Sequence, residues 1–199
     1  MDEFIGAYFQ EIKVRNALKV IDNNARAFNE AVVYMMSPNH PELTNEQAFY
    51  GKLEELTGVS RDVMLPAFDE FYEKYYDNIQ VTSKADPRCR EAIKTAKAKG
   101  YRLVLATNPV FPCLATDKRI AWAGLDKEDF SYISYFNNTH FCKPDLRYFE
   151  EILEKLELDA SECIMIGNSV PEDMCARHLG MEVFLITDHI VGNREEATD

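Results

Sequence analysis

The chain has 199 residues and a formal net charge of −12, from 22 basic and 34 acidic side chains. This length suits one domain, or one core with a modest accessory module. The acidic balance argues against nucleic acid or an anionic membrane surface as the main partner. No stretch approaches the ~20 apolar residues of a membrane span, and the acidic N-terminus has no signal-peptide pattern. The five cysteines form no Cys-x-x-Cys pair, so we expect a cytoplasmic protein with reduced thiols.

The first part of the chain is predicted to be helical throughout. Apolar residues recur at three- to four-residue steps over residues 3–35, which predicts one long or kinked amphipathic helix. The proline-containing stretch 37–41 ends it. Thr44 and Gln47 fit a capping box for a second helix, which is expected to end at Gly58.

A third helix is predicted after Ser60, and it carries an apolar and aromatic stripe. The stripe consists of Leu65, Phe68, Phe71, Tyr72 and Tyr75. Two interpretations stay open at this point. The stripe is either a wall of a ligand site or core between packed helices, and core is the commoner outcome for such a pattern.

Near residue 83 the pattern changes to helices alternating with short apolar strands. Strands are predicted over residues 101–106, 132–136, 163–166 and 182–186. Helices are predicted over about 86–100, 114–123 and 145–157, with a short one ending at 179. This alternation implies right-handed crossovers and a parallel, doubly wound sheet. The sequence therefore predicts a helical module at 1–82 and an α/β core at 83–199.

Polar residues follow three of the predicted strands. Thr107 and Asn108 follow the first, Lys143 follows the second after a short loop, and Asn168 and Asp173 follow the third. Ligands of open α/β sheets bind beyond the carboxyl ends of the strands. Hydroxyl, amide and ammonium groups can donate to an anion, and carboxylate and amide oxygens suit magnesium. Taken singly, each of these residues is also an ordinary turn, capping or surface residue.

Taken together and in this order, the three motifs resemble those of the haloacid dehalogenase-like (HAD) hydrolase superfamily. The stretch 103–108 resembles its second motif, Lys143 with Pro144 its third, and the stretch 167–173 its fourth. The resemblance implies a Rossmannoid core with a doubly wound, mostly parallel sheet. It also implies that the helical module is the mobile cap of that family.

The resemblance further implies an activity, the magnesium-dependent hydrolysis of a small phosphomonoester through an aspartyl-phosphate. In that mechanism Thr107 and Lys143 are the catalytic residues, and with Asn108 they bind the substrate. Asn168 and Asp173 hold Mg²⁺. The expected partner is a small phosphorylated substrate, with no nucleic acid and no membrane.

The family's first motif, a strand ending in an Asp-x-Asp that carries the nucleophile, has no counterpart in this sequence. The sequence begins with Met1-Asp2-Glu3-Phe4, already in the predicted cap helix, so we name no nucleophile. In the family fold this strand lies between those carrying the second and fourth motifs. We expect the sequence to be a shortened form of a longer protein, and a degenerate relative is the alternative.

A second departure is Asn168, where the family usually has Asp. The amide keeps one oxygen ligand but removes a negative charge, which should weaken magnesium binding unless Glu172 substitutes. The two departures keep a second function open, a non-catalytic pseudo-phosphatase that binds a phosphorylated ligand or a protein partner. The third alternative is an α/β domain whose polar strand ends are only turns.

Overall fold

The structure is a computed structural model that describes residues 2–197. The α-helices are α1 (Asp2–Val14), α2 (Ala25–Met35), α3 (Asn45–Thr57), α4 (Arg61–Lys74), α5 (Pro87–Ala98), α6 (Cys113–Trp122), α7 (Leu146–Leu156) and α8 (Val170–Asp173). The strands are β1 (Val104–Leu105), β2 (Tyr132–Ile133), β3 (Ile164–Gly167) and β4 (Glu182–Leu185). Among the described residues, none of the helices combines the length and the hydrophobicity that crossing a membrane requires. The chain is helix-rich α/β, as predicted.

The chain divides into two compact units. The first consists of Met1–Met36 and Leu43–Asn138, and the second of Ser37–Glu42 and Thr139–Asp199. The first unit therefore contains most of the predicted helical module together with β1 and β2, and the second contains β3 and β4. The domain boundary between residues 82 and 83 stays a prediction.

Strand pairing is parallel in both units, as the alternation of helices and strands predicted. In the first unit Val104 of β1 lies opposite Tyr132 of β2. In the second unit β3 pairs with β4 along its whole length, with Gly167 opposite Leu185. Within residues 2–197 each sheet has two strands. The strands β1 and β2 are shorter than predicted, with two residues each, whereas β3 and β4 have close to the predicted length.

The helix predicted over residues 3–35 is three separate segments. The helix α1 ends at Val14, a 3₁₀ segment spans Ala17–Ile21, and α2 begins at Ala25. The residues at the breaks have a left-handed backbone, with φ of 60°, 52° and 55° at Asn16, Asp22 and Asn23. Asn and Asp tolerate this conformation because their short polar side chains bond locally. The apolar repeat continues across the breaks because the segments bury residues in one shared core.

Other helix ends follow the predicted local signals. The Thr44 side chain accepts a hydrogen bond from the Gln47 backbone, and the Gln47 side chain accepts one from the Thr44 backbone. This is the predicted capping box. The helix α3 then ends at Gly58, whose φ is 70°. Asp86 caps α5 by accepting a hydrogen bond from the backbone of Arg88.

The aromatic stripe on α4 is part of the hydrophobic core of the first unit. Phe68, Phe71 and Tyr72 are 2%, 1% and 5% exposed. Phe71 packs edge-to-face against Tyr8 of α1, and the Tyr8 and Tyr72 hydroxyls share a hydrogen bond of 2.9 Å. The core interpretation of the stripe is therefore confirmed. The ligand-wall interpretation is wrong for these three rings, because they contact other rings instead of an open surface.

Candidate functional site

Lys143 and Asp173 form a buried ion pair in the second unit. The Lys143 Nζ donates to Asp173 Oδ1 at 2.6 Å, and the two side chains are 7% and 6% exposed. Lys143 lies in the loop before α7, and Asp173 is the last residue of α8. Because an ammonium has three N–H groups, the bond to Asp173 occupies one of them.

The second oxygen of Asp173 is held by the backbone. The Ser169 N–H donates to Asp173 Oδ2 at 2.9 Å, and the Ser169 carbonyl accepts from the Asp173 N–H at 2.8 Å. The turn that makes these bonds connects the end of β3 to α8. This turn therefore orients the Asp173 carboxylate, and with it the Lys143 ammonium, at the carboxyl end of a parallel strand.

Gly167 allows the Asp173 side chain to lie against the backbone. A Cβ at position 167 would lie 2.7 Å from the Cβ of Asp173 and still closer to its carboxylate. Gly167 is the last residue of β3, at the start of the turn to α8. Its φ is not among the positive values in the chain, so the requirement is steric and not conformational.

Asn168 is bonded through its amide nitrogen. The Nδ2 donates to the backbone carbonyl of His189 at 2.6 Å. The backbone of the same loop is paired with Val191, because the Val191 N–H donates to the Asn168 carbonyl at 2.9 Å and the Val170 N–H donates to the Val191 carbonyl at 2.8 Å. The loop next to Asp173 is thus attached to the chain that follows β4.

Oxygen donors around the ion pair are few. Within residues 2–197, no group of three or more His, Cys, Asp or Glu side chains is arranged to hold a metal ion. Asn168 and Asp173 nevertheless have the right chemistry, because Mg²⁺ usually binds one or two carboxylates with a substrate phosphate and keeps several waters. The residue types at 168 and 173 thus suit a magnesium ion that shares its ligands with phosphate, and their assignment as its ligands stays a prediction.

Thr107 and Asn108 lie in the first unit, just beyond the strand that was predicted to carry them. The strand β1 ends at Leu105, and Thr107 and Asn108 are both half-buried. The backbone after them is held in place, since the Asn45 side chain donates to the Pro109 carbonyl at 3.3 Å. The described contacts thus bring Lys143 and Asp173 together in one unit and place Thr107 and Asn108 at a strand end of the other.

A contact that sequence reasoning missed holds the loop before Lys143 to α7. Glu151 accepts from the His140 N–H at 3.0 Å, its Oε1 lies 2.7 Å from the His140 Nδ1, and Lys155 Nζ donates to Oε1 at 2.6 Å. Burial by itself would raise the pKa of Glu151, but these hydrogen bonds hold the pKa below its ordinary value. The spacing of Glu151 and Lys155 is visible in the sequence, whereas the His140 contact spans eleven residues.

Replacing Glu151 with Gln is expected to lower the free energy of unfolding by about 1 kcal/mol at pH 7. A carboxylate whose pKa is lowered on folding adds stability that is present above its ordinary pKa and lost as the pH falls through the folded-state value. The difference from wild type should therefore shrink below pH 4.5. Urea unfolding at pH 7 and below pH 4.5 measures this difference in the free energy of unfolding. Glu150→Gln, at an exposed position on the same helix, is the control. An equal difference at both pH values would contradict the argument.

Cys175 lies beside the ion pair but is not set up as a nucleophile. Its Sγ is 3.3 Å from the Glu172 carbonyl and 3.6 Å from the Pro144 carbonyl. Burial raises the pKa of the Cys175 thiol, and the positive charge of Lys143 opposes this only in part. The residue is thus held mainly as the unreactive thiol at neutral pH.

The sequence model of the family described as haloacid dehalogenase-like hydrolase matches residues 4–178. The matched range contains the helical module and all three motifs that carried the resemblance. The chain belongs to the haloacid dehalogenase-like hydrolase family.

Curated relatives of the chain include phosphatases. It is 27% identical over 138 residues to the bifunctional riboflavin kinase/FMN phosphatase of Arabidopsis thaliana, covering 67% of this chain and 36% of that protein. It is 24% identical over 145 residues to a phosphoglycolate phosphatase of Psychrobacter arcticus, covering 72% of this chain and 62% of that protein. The chain therefore spans less than two thirds of the length of these relatives.

Solved structures support the fold. A HAD family enzyme from Bacteroides thetaiotaomicron aligns with a TM-score of 0.54 at 14% identity, over 96% of this chain and 89% of that one. The HAD-hydrolase YfnB from Bacillus subtilis, in a crystal structure bound to magnesium, aligns with a TM-score of 0.54 at 19% identity, over 98% and 84%. Similarity at this level of identity concerns the fold, which is an α/β HAD core with a helical cap.

Proposed function

We propose that this chain carries the phosphate-binding residues of a phosphatase that hydrolyses small phosphomonoesters. The observation that carries the proposal is the buried Lys143–Asp173 ion pair at the carboxyl end of β3. A lysine held in this way supplies a fixed positive charge for a phosphoryl group in a place with little water. The phosphatase relatives support the same class of substrate.

The proposed roles follow the chemistry of each side chain. Lys143 compensates the charge of the phosphoryl group, and Asp173 orients Lys143. The hydroxyl of Thr107 and the amide of Asn108 donate to phosphate oxygens. Since the whole chain carries a net charge of −12, Lys143 concentrates positive charge where an otherwise acidic protein must attract an anion.

Magnesium is part of the proposal as the cofactor. Asn168 and Asp173 are the proposed ligands, with Glu172 as a further acidic residue beside them. When bound, magnesium offsets negative charge on the phosphoryl oxygens. The protein's own part is to orient the oxygen donors through the turn that ends β3.

Hydrolysis through an aspartyl-phosphate also requires a carboxylate nucleophile. We assign this role to no residue of the sequence. The coding DNA upstream of the Met1 codon is the direct check, because an in-frame apolar strand ending in Asp-x-Asp would supply the nucleophile. A stop codon or unrelated sequence there would favour the second candidate function, a pseudo-phosphatase that binds a phosphorylated ligand or protein without turnover. Asn168 is the observation that favours this candidate, since it removes a charge from the proposed metal site.

Inorganic phosphate and p-nitrophenyl phosphate separate these functions, each with and without magnesium chloride. We expect phosphate to raise the Tm, because a ligand at 100 times its Kd stabilises the folded state by about 2.7 kcal/mol. Sodium chloride at equal ionic strength is the control. Release of p-nitrophenol identifies a phosphatase, and protection without release identifies a binding protein. The absence of both effects would overturn the proposal in favour of an α/β domain with structural turns.

A further inference from the structure

A short segment after β4 braces the loop that carries the proposed metal ligands. This brace segment, residues 189–192, forms a parallel bridge to the loop between Val191 and Ser169. Two backbone hydrogen bonds make this bridge, and the Asn168 side chain adds a third hydrogen bond. The brace segment therefore contacts both residues that flank Ser169, whose N–H orients Asp173.

The brace segment lies close against the start of α8. Gly192 has a φ of 92°, and a Cβ there would lie 2.9 Å from the Pro171 Cδ and 3.2 Å from the Val170 Cβ. His189, whose carbonyl accepts the Asn168 amide, also has a left-handed backbone, with a φ of 57°. A side chain at position 192 would be strained in its backbone and would press on the start of α8.

The partner of the Asn168 side chain explains why this position suits an amide. A backbone carbonyl can only accept a hydrogen bond, so the side-chain atom 2.6 Å from the His189 oxygen must be a donor. An ionised aspartate has no donor and would set two oxygens against each other at that distance. The amide thus makes an attachment that the aspartate usual in the family cannot make.

We propose that Asn168 is a positioning residue, whose amide attaches the loop to the brace segment and thereby holds Ser169 and Asp173 in the geometry that orients Lys143. Three hydrogen bonds carry this effect. The Asn168 amide donates to the His189 carbonyl, and the Ser169 N–H donates to the Asp173 carboxylate. The same carboxylate accepts from the Lys143 ammonium. The consequence for phosphate binding rests on the proposed function. The structural consequence, that the Asn168 amide fixes the loop, does not depend on the proposed function.

Two variants and one matched control test this role in the 199-residue chain. Asn168→Asp removes the donor, and Gly192→Ala strains the brace segment without touching a proposed ligand. Asn193→Asp makes the same charge change at an exposed residue whose bond to the Glu195 N–H uses an oxygen that aspartate retains. Hydrogen exchange at the Ser169 and Val170 amides is measured without ligand. The affinity for inorganic phosphate is then measured well below the Tm and without magnesium, so that the new carboxylate cannot change it by binding the metal more tightly.

We expect both test variants to speed exchange at the two amides and to weaken phosphate binding about tenfold, equivalent to about 1.4 kcal/mol. The control should match wild type. The double variant Asn168→Asp/Gly192→Ala should lose less phosphate-binding free energy than the two single variants lose together, because both changes break the same attachment.

Three outcomes would overturn this proposal, and a fourth would refute only the proposed function. Weaker phosphate binding in Asn168→Asp but not in Gly192→Ala would show that the loss does not pass through the brace segment, and it would overturn the positioning role. A lower Tm in both variants with unchanged phosphate affinity would leave a purely structural contact and also overturn it. Unchanged exchange at both amides would overturn the attachment itself. A wild-type protein that binds no phosphate would instead refute the proposed function, while the exchange data still decide whether the amide fixes the loop.

Discussion

Replacing Lys143 with alanine is expected to abolish phosphate binding and to lower the free energy of unfolding by about 3–5 kcal/mol. The variant leaves the Asp173 carboxylate, whose side chain is 6% exposed, without its cation. A buried charge that loses its partner keeps the cost of leaving water and loses the attraction that offset it. Urea unfolding measures the first effect, and calorimetric titration with inorganic phosphate measures the second.

A double variant separates the loss of function from the loss of stability. Lys143→Met combined with Asp173→Leu removes both charges and fills the space with apolar atoms, so part of the stability should return, while the Ser169 N–H loses its acceptor. Phosphate binding should not return, because the positive charge is still missing. Lys99→Ala changes the net charge as Lys143→Ala does, but at an exposed position, and is the control for that variant. Wild-type phosphate affinity in Lys143→Ala would remove Lys143 from the site.

Replacing Gly167 with alanine is expected to lower the free energy of unfolding by about 1–3 kcal/mol, as other overpacked positions do. The added methyl would overlap the Asp173 side chain, with 2.7 Å between the two Cβ atoms. Asp173 must then move, and the Lys143 ammonium moves with it. We therefore also expect phosphate affinity to fall at least tenfold, equivalent to about 1.4 kcal/mol.

Gly51→Ala is the matched control, and the opposite sign is expected for it. Gly51 lies exposed within α3, and nothing lies within 4 Å of a Cβ there. Alanine in a helix interior is more stable than glycine by about 0.5–1 kcal/mol. Equal phosphate affinity in Gly167→Ala and wild type would contradict the role of Asp173 in orienting Lys143.

Contacts between near neighbours in the chain determined most of what could be predicted from the sequence. The capping box of Thr44 and Gln47 and the Asp86 cap each involve residues two or three apart, so the residue types predict the structure. The alternation of strands and helices predicted parallel pairing for a different reason, since a chain of this pattern has few other ways to connect its strands. The order of the three motifs was enough to predict the HAD family.

The tertiary structure alone decided which atoms of the candidate site meet. Lys143 and Asp173 are thirty residues apart in the chain, and Asn168 and His189 are twenty-one apart, so spacing could not predict either contact. The role of Gly167 likewise depends on the Asp173 side chain, which α8 places against the backbone of Gly167. Periodicity could not distinguish a ligand wall from core for Phe71 and its neighbours, because both use one face of a helix. Packing settled the matter, since burial depends on what covers that face, and the covering residues come from other segments of the chain.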